Sequence, residues 1–259
     1  MNHYNSLQLR EIFHIEFLRR FGRVAKPQNY AVKGGVNLRL FFRSFRYSED
    51  MDLDARGISV FQLKEAAIKA LENASLHDGL KPFGIVGITM PDMAKAKQTE
   101  TTQRFKIHLI TASGEDLFTK IEFSRGDFAG NVIVEALDET ILRQYKLAPL
   151  LAPHYDSNSA LAQKVNALAS RKDIQARDIF DIYILSPQYS RDKSKIDLDE
   201  DSLSKAYERV FDVTFEQFKD TVVSYLSAED GALYNRPESW EEVRIKAAQF
   251  IEEVRKRCA

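Results

Sequence analysis

The chain has 259 residues, 44% apolar and 29% charged, with a net charge of −1. It is long enough for one large domain or two modest ones, and 17 Phe with 10 Tyr exclude intrinsic disorder as the main state. No window approaches the roughly 18 uncharged apolar residues of a membrane span, and Met1–Asn5 does not open like a secretory signal. The lone cysteine, Cys258, excludes a disulfide framework and a cysteine-based zinc site, so a cytoplasmic protein without a membrane partner is expected.

Charge is unevenly spread. Residues 1–46 carry nine Lys/Arg against Glu11 and Glu16, whereas residues 197–259 carry fifteen Asp/Glu against nine Lys/Arg. A basic N-terminal stretch is compatible with an anionic partner, and equally with solvated helix faces.

Leu7 to Phe21 repeats apolar residues at three- and four-residue steps and predicts an amphipathic helix, stopped by Gly22. Tyr30–Val32 is a short strand or the approach to a helix. Gly34-Gly35 punctuates it, and Val36–Phe42 reads as a buried helix. Met51-Asp52-Leu53-Asp54 alternates as a strand, and Ser59–His77 reads as one helix capped by Ser59. Strands are predicted at 83–89, 104–111, 117–124 and 132–137, joined by short turns that favour antiparallel pairing. From residue 138 onward six helices are predicted, at 138–147, 159–170, 173–185, 201–211, 214–226 and 238–258. The expected class is α+β: a mixed, largely antiparallel sheet in a domain spanning 1–150, then a helical domain spanning 151–259 that closes a cleft.

Strand periodicity puts Asp50, Asp52 and Asp54 on one face. Such a row is tolerable when solvated, or when a divalent cation neutralises it. Mg²⁺ takes hard oxygen ligands, usually one or two carboxylates plus substrate phosphates. Gly34-Gly35 ahead of a helix lets backbone amides approach a phosphate, though a double glycine is more often only a turn. Lys120, Glu122 and Ser124 share a face of a later strand, so Glu122 is either a third carboxylate or half of a surface pair with Lys120. In the later helices, Lys164 and Arg171 share a face, and Arg177 and Asp181 are spaced to pair. His3, His14, His77, His108 and His154 show no metal-ligand spacing, and Ser48 and Ser124 lack a histidine partner for hydrolase chemistry.

Four segments in order carry a resemblance. The run KGGVNLRLFFRSFRYSEDMDLD (33–54) resembles the signature of the AbiEii/AbiGii toxin family within the polymerase-β-like nucleotidyltransferases. KIEFS (120–124) resembles the strand of the third carboxylate, ALAQKVNALASR (160–171) the helix of the motif lysine, and ARDIFDIYIL (176–185) the Arg-Asp-x-x-Asp motif. Together they cover roughly residues 30–185. The resemblance implies a metal-dependent nucleotidyltransferase that moves an NMP from an NTP to an acceptor hydroxyl, RNA and specifically tRNA being the candidate. It implies the toxin of a toxin–antitoxin or phage-defence pair, with a cognate antitoxin as partner. It assigns Lys33, Gly34, Gly35, Ser48 and Lys164 to nucleotide binding, and Asp50, Asp52, Glu122 and Asp178 to catalysis. Mg²⁺ or Mn²⁺ would lie on Asp50, Asp52 and Glu122. Glu122 stands where the superfamily often has Asp, and Asp54 matches no family role. The alternatives are a catalytically silent nucleotide- or partner-binding module on the same fold, or transfer to a protein. On this reading Lys164→Ala weakens NTP use with little change in melting temperature.

Overall fold

The computed structural model describes residues 4–90, 92, 97–189 and 198–258. Its first helix, α1 (Ser6–Phe21), is started by Asn5, whose side chain accepts the Gln8 N–H while the Gln8 side chain accepts the Asn5 N–H. Then follow β1 (Tyr30–Lys33), α2 (Gly34–Phe42), β2 (Met51–Ala55), α3 (Val60–Leu71), α4 (Ala74–Leu80), β3 (Ile85–Thr89), β4 (Thr102–Thr111), β5 (Asp116–Arg125), β6 (Val132–Ala136), α5 (Glu139–Gln144) and β7 (Leu151–Tyr155). The span read as one helix over 59–77 is two, because the Asn73 side chain caps a new N-terminus by accepting the Ser75 N–H.

The strands form one sheet in the order β3-β4-β5-β2-β1-β7-β6. Four pairings are antiparallel, but β2–β5 and β1–β7 are parallel. The short turn after β5 therefore does not make a hairpin with β6, which lies at the opposite edge. One face of the sheet is apolar: Met51, Leu53, Phe105, Ile107, Ile121 and Phe123 are all fully buried. Rings from α1 pack there. Phe21 lies 5.2 Å from Phe123 and stacks on Phe17 at 5.6 Å. Aromatic burial of this kind supplies the largest single contributions to a core. The other face carries the charged members of the same alternation.

The chain divides into two compact units. One comprises Met1–Phe41, Tyr47–Phe128 and Val132–Tyr155; the other comprises Phe42–Arg46, Ala129–Asn131 and Asp156–Ala259. Residues 151–155, placed by sequence in the helical half, form β7 in the sheet of the first unit. Pro153 concealed this strand, since proline lacks a ladder donor and reads as punctuation. The second unit holds α6 (Ser157–Ser170), α7 (Ala176–Leu185), α8 (Glu200–Arg209), α9 (Phe215–Thr221), α10 (Ala228–Tyr234) and α11 (Pro237–Cys258). Arg209 of α8 donates to the carbonyls of Leu168, Ala169 and Arg171 and so satisfies the C-terminal end of α6. Trp240 of α11 stacks on Phe218 of α9 at 4.4 Å and donates its indole N–H to the Val213 carbonyl. Among the described residues no helix is long and apolar enough to cross a membrane.

Trp240 is the only tryptophan and is 1% exposed within the second unit. Its fluorescence therefore reports the packing of that unit. Iodide is expected to leave emission of the folded protein unquenched and to quench it in denaturant. Strong quenching of the folded chain contradicts this packing.

Candidate active site

Register places the charged residues of the sheet in a row. Lys33 on β1 lies opposite Asp52 on β2, Asp52 opposite Glu122 on β5, and Glu122 opposite Arg104 on β4. Asp54 lies one step along, opposite Ser124. Asp50, just ahead of β2, takes the Lys120 N–H on one carboxylate oxygen at 3.1 Å and the Lys120 ammonium on the other at 2.8 Å. Glu122 accepts from Arg104 Nε at 2.5 Å. Lys120 and Glu122 thus share a face but not a bond; each takes its partner from elsewhere. Asp54, buried, holds Lys33 Nζ on Oδ1 at 2.5 Å and the Tyr155 hydroxyl on Oδ2 at 2.5 Å. Lys33 also donates to Ser124 Oγ at 2.8 Å.

Asp52 differs from these neighbours. It is half-buried, and its carboxyl makes no hydrogen bond or ion pair with any described residue. Burial pushes its carboxyl above the ordinary carboxylate range; Glu122 and Asp50 push the same way, and Lys33 and Lys120 oppose them. An unpartnered carboxylate flanked by two others is the chemistry a hard divalent cation relieves, so the donor set fits such an ion. Among the described residues no three acidic or imidazole side chains already stand in ligating geometry, because the oxygens of Asp50 and Glu122 are turned to Lys120 and Arg104.

The backbone beside Asp52 is as constrained as the charges. Gly34 has φ +65°, and a Cβ built there would lie 3.3 Å from Asp52 Oδ2. Only glycine gives both that conformation and that clearance. Gly34 and Gly35 open α2, so this helix starts beside the Asp52 carboxylate. Ser48 donates its hydroxyl to the Asp50 carbonyl at 2.9 Å and shapes the approach to β2. A second strap was not legible in the sequence. Thr119 of β5 donates to the Glu49 carbonyl at 2.6 Å, so His14 Nε2, 2.9 Å away, must be the donor to Thr119 Oγ1. His14 is buried, and that burial lowers its pKa to about 4.

In the second unit, Lys164 of α6 lies 3.0 Å from Asp178 and 2.6 Å from Asp181, both on α7. Arg46 takes Asp181 in a two-pronged pair at 3.0–3.3 Å, and Arg171 Nε lies 3.2 Å from Asp178 Oδ2 without hydrogen-bond alignment. Both carboxylates are fully buried, and Lys164 and Arg46 nearly so. Burial is the strongest single influence on Lys164 and pulls its pKa down, but Asp181 and Asp178 outweigh it and the net shift is upward. Burial likewise acts to raise Asp181, and Arg46 with Lys164 reverses it, so Asp181 sits below its ordinary value. Asp181 therefore pairs with Arg46 and Lys164 in place of the Arg177 that sequence spacing offered.

The basic N-terminal stretch has an internal explanation. Arg10, Arg19, Arg20, Lys33, Arg39 and Arg46 are engaged with Glu49, Glu16, Asp54, Glu11, Asp181 or backbone carbonyls. Most of that charge is spent within the fold. The histidines are structural too: His154 bonds Asn37 and stacks on Phe41, His77 bonds the Leu71 carbonyl, and His108 pairs with Asp116. His3 lies outside the described residues.

Residues 16–255 match the family model described as nucleotidyl transferase AbiEii toxin, type IV toxin–antitoxin system, and the chain belongs to that family. It is a nucleotidyltransferase. Among solved structures, the JHP933 protein of Helicobacter pylori is similar in fold at 17% identity and TM-score 0.54, covering 98% of this chain and 94% of that one. MenT4, a nucleotidyltransferase toxin of Mycobacterium tuberculosis H37Rv, is similar at 16% identity and TM-score 0.60, covering 100% of this chain and 89% of that one. Comparison with curated proteins gave no match.

Two predictions follow from these clusters. Folding lowers the His14 pKa, so between about pH 6.5 and 4 the unfolded chain binds a proton that the folded protein refuses. Stability is then lost as pH falls through that window, by about 3 kcal/mol at one unit of pKa per roughly 1.4 kcal/mol. Urea unfolding across this range is expected to show the loss, and His14→Gln to flatten it. The second concerns Lys164, where burial overturns the expectation of an unchanged melting temperature. Removing it leaves buried Asp178 with only Arg171 and buried Asp181 with only Arg46, and taking one partner out of a buried ion network typically costs about 3–5 kcal/mol. Lys164→Ala is expected to unfold at clearly lower urea than the wild type, whereas the exposed Lys172→Ala stays within about 0.5 kcal/mol. Equal midpoints for the two variants refute the buried network.

Proposed function

We propose that the chain transfers an NMP from an NTP to a hydroxyl of an RNA acceptor, tRNA being the candidate, as a toxin restrained by a cognate antitoxin. The observation that carries the reading is Asp52: an unpartnered carboxylate between Lys33 and Glu122, with the glycine start of α2 against its Oδ2. On this reading the α2 amides at Gly34 and Gly35, with Lys33, hold the nucleotide's phosphates. Asp50, Asp52 and Glu122 would hold Mg²⁺ or Mn²⁺, which when bound neutralises phosphate charge and activates the attacking hydroxyl. Lys120 and Arg104 are the counter-charges that hold Asp50 and Glu122 in place. Ser48 fixes the backbone that presents Asp50. Lys164 and Asp178 enter from the family motifs, as phosphate contact and its partner. The RNA acceptor rests on the family resemblance and no longer on the N-terminal charge.

The test is incubation with each α-labelled NTP and a divalent cation, with total cell RNA in one arm and total cell protein in the other. Label is expected on RNA. Asp52→Asn is expected to lose transfer by about 100-fold or more, the scale seen when one charge-stabilising group is removed from an active site. Its melting temperature is expected not to fall, because Asp52 gives up no bond and burial already disfavours its charge. Label confined to protein overturns the RNA acceptor. Near-normal turnover by Asp52→Asn overturns the site.

A further inference from the structure

Asp54 lies in the acidic run yet matches no role in the family signature. It is nevertheless the most committed carboxylate on this face, held through both oxygens at 2.5 Å. The three strands that converge on it have one residue in common. Lys33, from β1, reaches Asp54 of β2 and Ser124 of β5, while Tyr155 of β7 holds the far side of Asp54. Tyr155 is fully buried, so its hydroxyl is fixed by the core and not by solvent. An ammonium has three N–H donors and no acceptor. Lys33 spends two, on Asp54 and Ser124. The third is uncommitted among the described residues, on a side chain that is half-buried and opposite Asp52 in register.

We propose that Asp54 and Tyr155 are positioning residues, which with Ser124 fix the Lys33 ammonium so that its third N–H meets the phosphates of the nucleoside triphosphate. This rests on the reading of the site given above. A lysine on a flexible four-carbon stem is a poorly directed donor unless something removes its freedom. Two acceptors on two different strands do that here. The Tyr155 hydroxyl in turn orients the carboxylate that does most of the holding. Asp54 therefore touches no substrate; it acts through Lys33.

Asp54→Asn is open to misfolding, so the residues that flank it are better targets. Tyr155→Phe keeps the buried ring, and Ser124→Ala removes only the second acceptor. Each is expected to raise KM for the NTP about five- to tenfold, the size of one lost hydrogen bond to a charged group, with kcat within about twofold. Lys33→Met is expected to raise KM at least as much. Adding Tyr155→Phe or Ser124→Ala to Lys33→Met is expected to raise it no further, because both act through the missing ammonium. A purely structural role lowers melting temperature and leaves KM alone, and that result overturns the proposal. So does a rise in KM that adds fully in the double variants. If the wild type labels no acceptor, the functional reading fails by itself. The same cycle is then read from the Kd of a non-hydrolysable NTP, where coupling through Lys33 supports the positioning role and additivity overturns it. Should Tyr155→Phe not fold, the Ser124→Ala cycle decides.

Discussion

Crowding of like charge on one sheet face is the constraint that the first unit is built around. Asp50, Asp52, Asp54 and Glu122 fall on two adjacent strands and would repel one another if left alone. The fold separates them with cations drawn from three strands. Lys120 neutralises Asp50 from within β5, Arg104 reaches Glu122 from β4, and Lys33 reaches Asp54 from β1. The pattern needs β2 in the interior of the sheet with β1 on one side and β5 on the other. A one-residue slip of β2 would turn Asp52 and Asp54 into the apolar layer beneath and lift Met51 and Leu53 out of it. Charge and core therefore specify the same register, and neither could be changed alone.

Gly34 joins this face to the helix that follows. The chain leaving β1 turns beside the Asp52 carboxyl, and the left-handed backbone at Gly34, with no Cβ, makes that turn with room for it. The helix it starts packs Val36 and Leu40 into the core while Asn37 bonds His154 and the Tyr155 carbonyl of β7. The strand that supplies the Tyr155 hydroxyl is thus tied to the helix that supplies the first amides. A disturbance of β7 would reach both ends of the Lys33 environment.

Much of this was legible because period-two alternation survives in sequence. Met51-Asp52-Leu53-Asp54 announces a strand with an acidic face, and Phe118-Thr119-Lys120-Ile121-Glu122 announces its neighbour. What alternation cannot carry is who sits beside whom. Strands separated by short turns suggested hairpins, yet β2 pairs in parallel with β5, some seventy residues away, and it is this pairing that sets Glu122 against Asp52. Pro153 hid β7 and with it Tyr155. Asp54 looked like one more member of the acidic run because its carboxylate partners come from β1 and β7. Spacing on a helix misled in the same way. Arg177 stands four residues from Asp181, but the nearer cations come from a segment 135 residues earlier and from α6. Local pattern assigns elements and faces; long-range pairing assigns counter-ions, and a single sequence does not encode it visibly.

The two charged clusters, each taken by itself, differ in how their charges are matched. On the sheet face four carboxylates, Asp50, Asp52, Asp54 and Glu122, meet three cations, Lys33, Lys120 and Arg104, and the carboxylate left over is Asp52. In the helical unit two carboxylates, Asp178 and Asp181, meet three cations, Arg46, Lys164 and Arg171. Balanced ion networks that only hold a fold together leave no residue of charge, since an uncompensated buried charge is expensive. Here Asp52 has no counter-ion bonded to its carboxyl among the described residues, whereas Asp178 and Asp181 are each met by two cations.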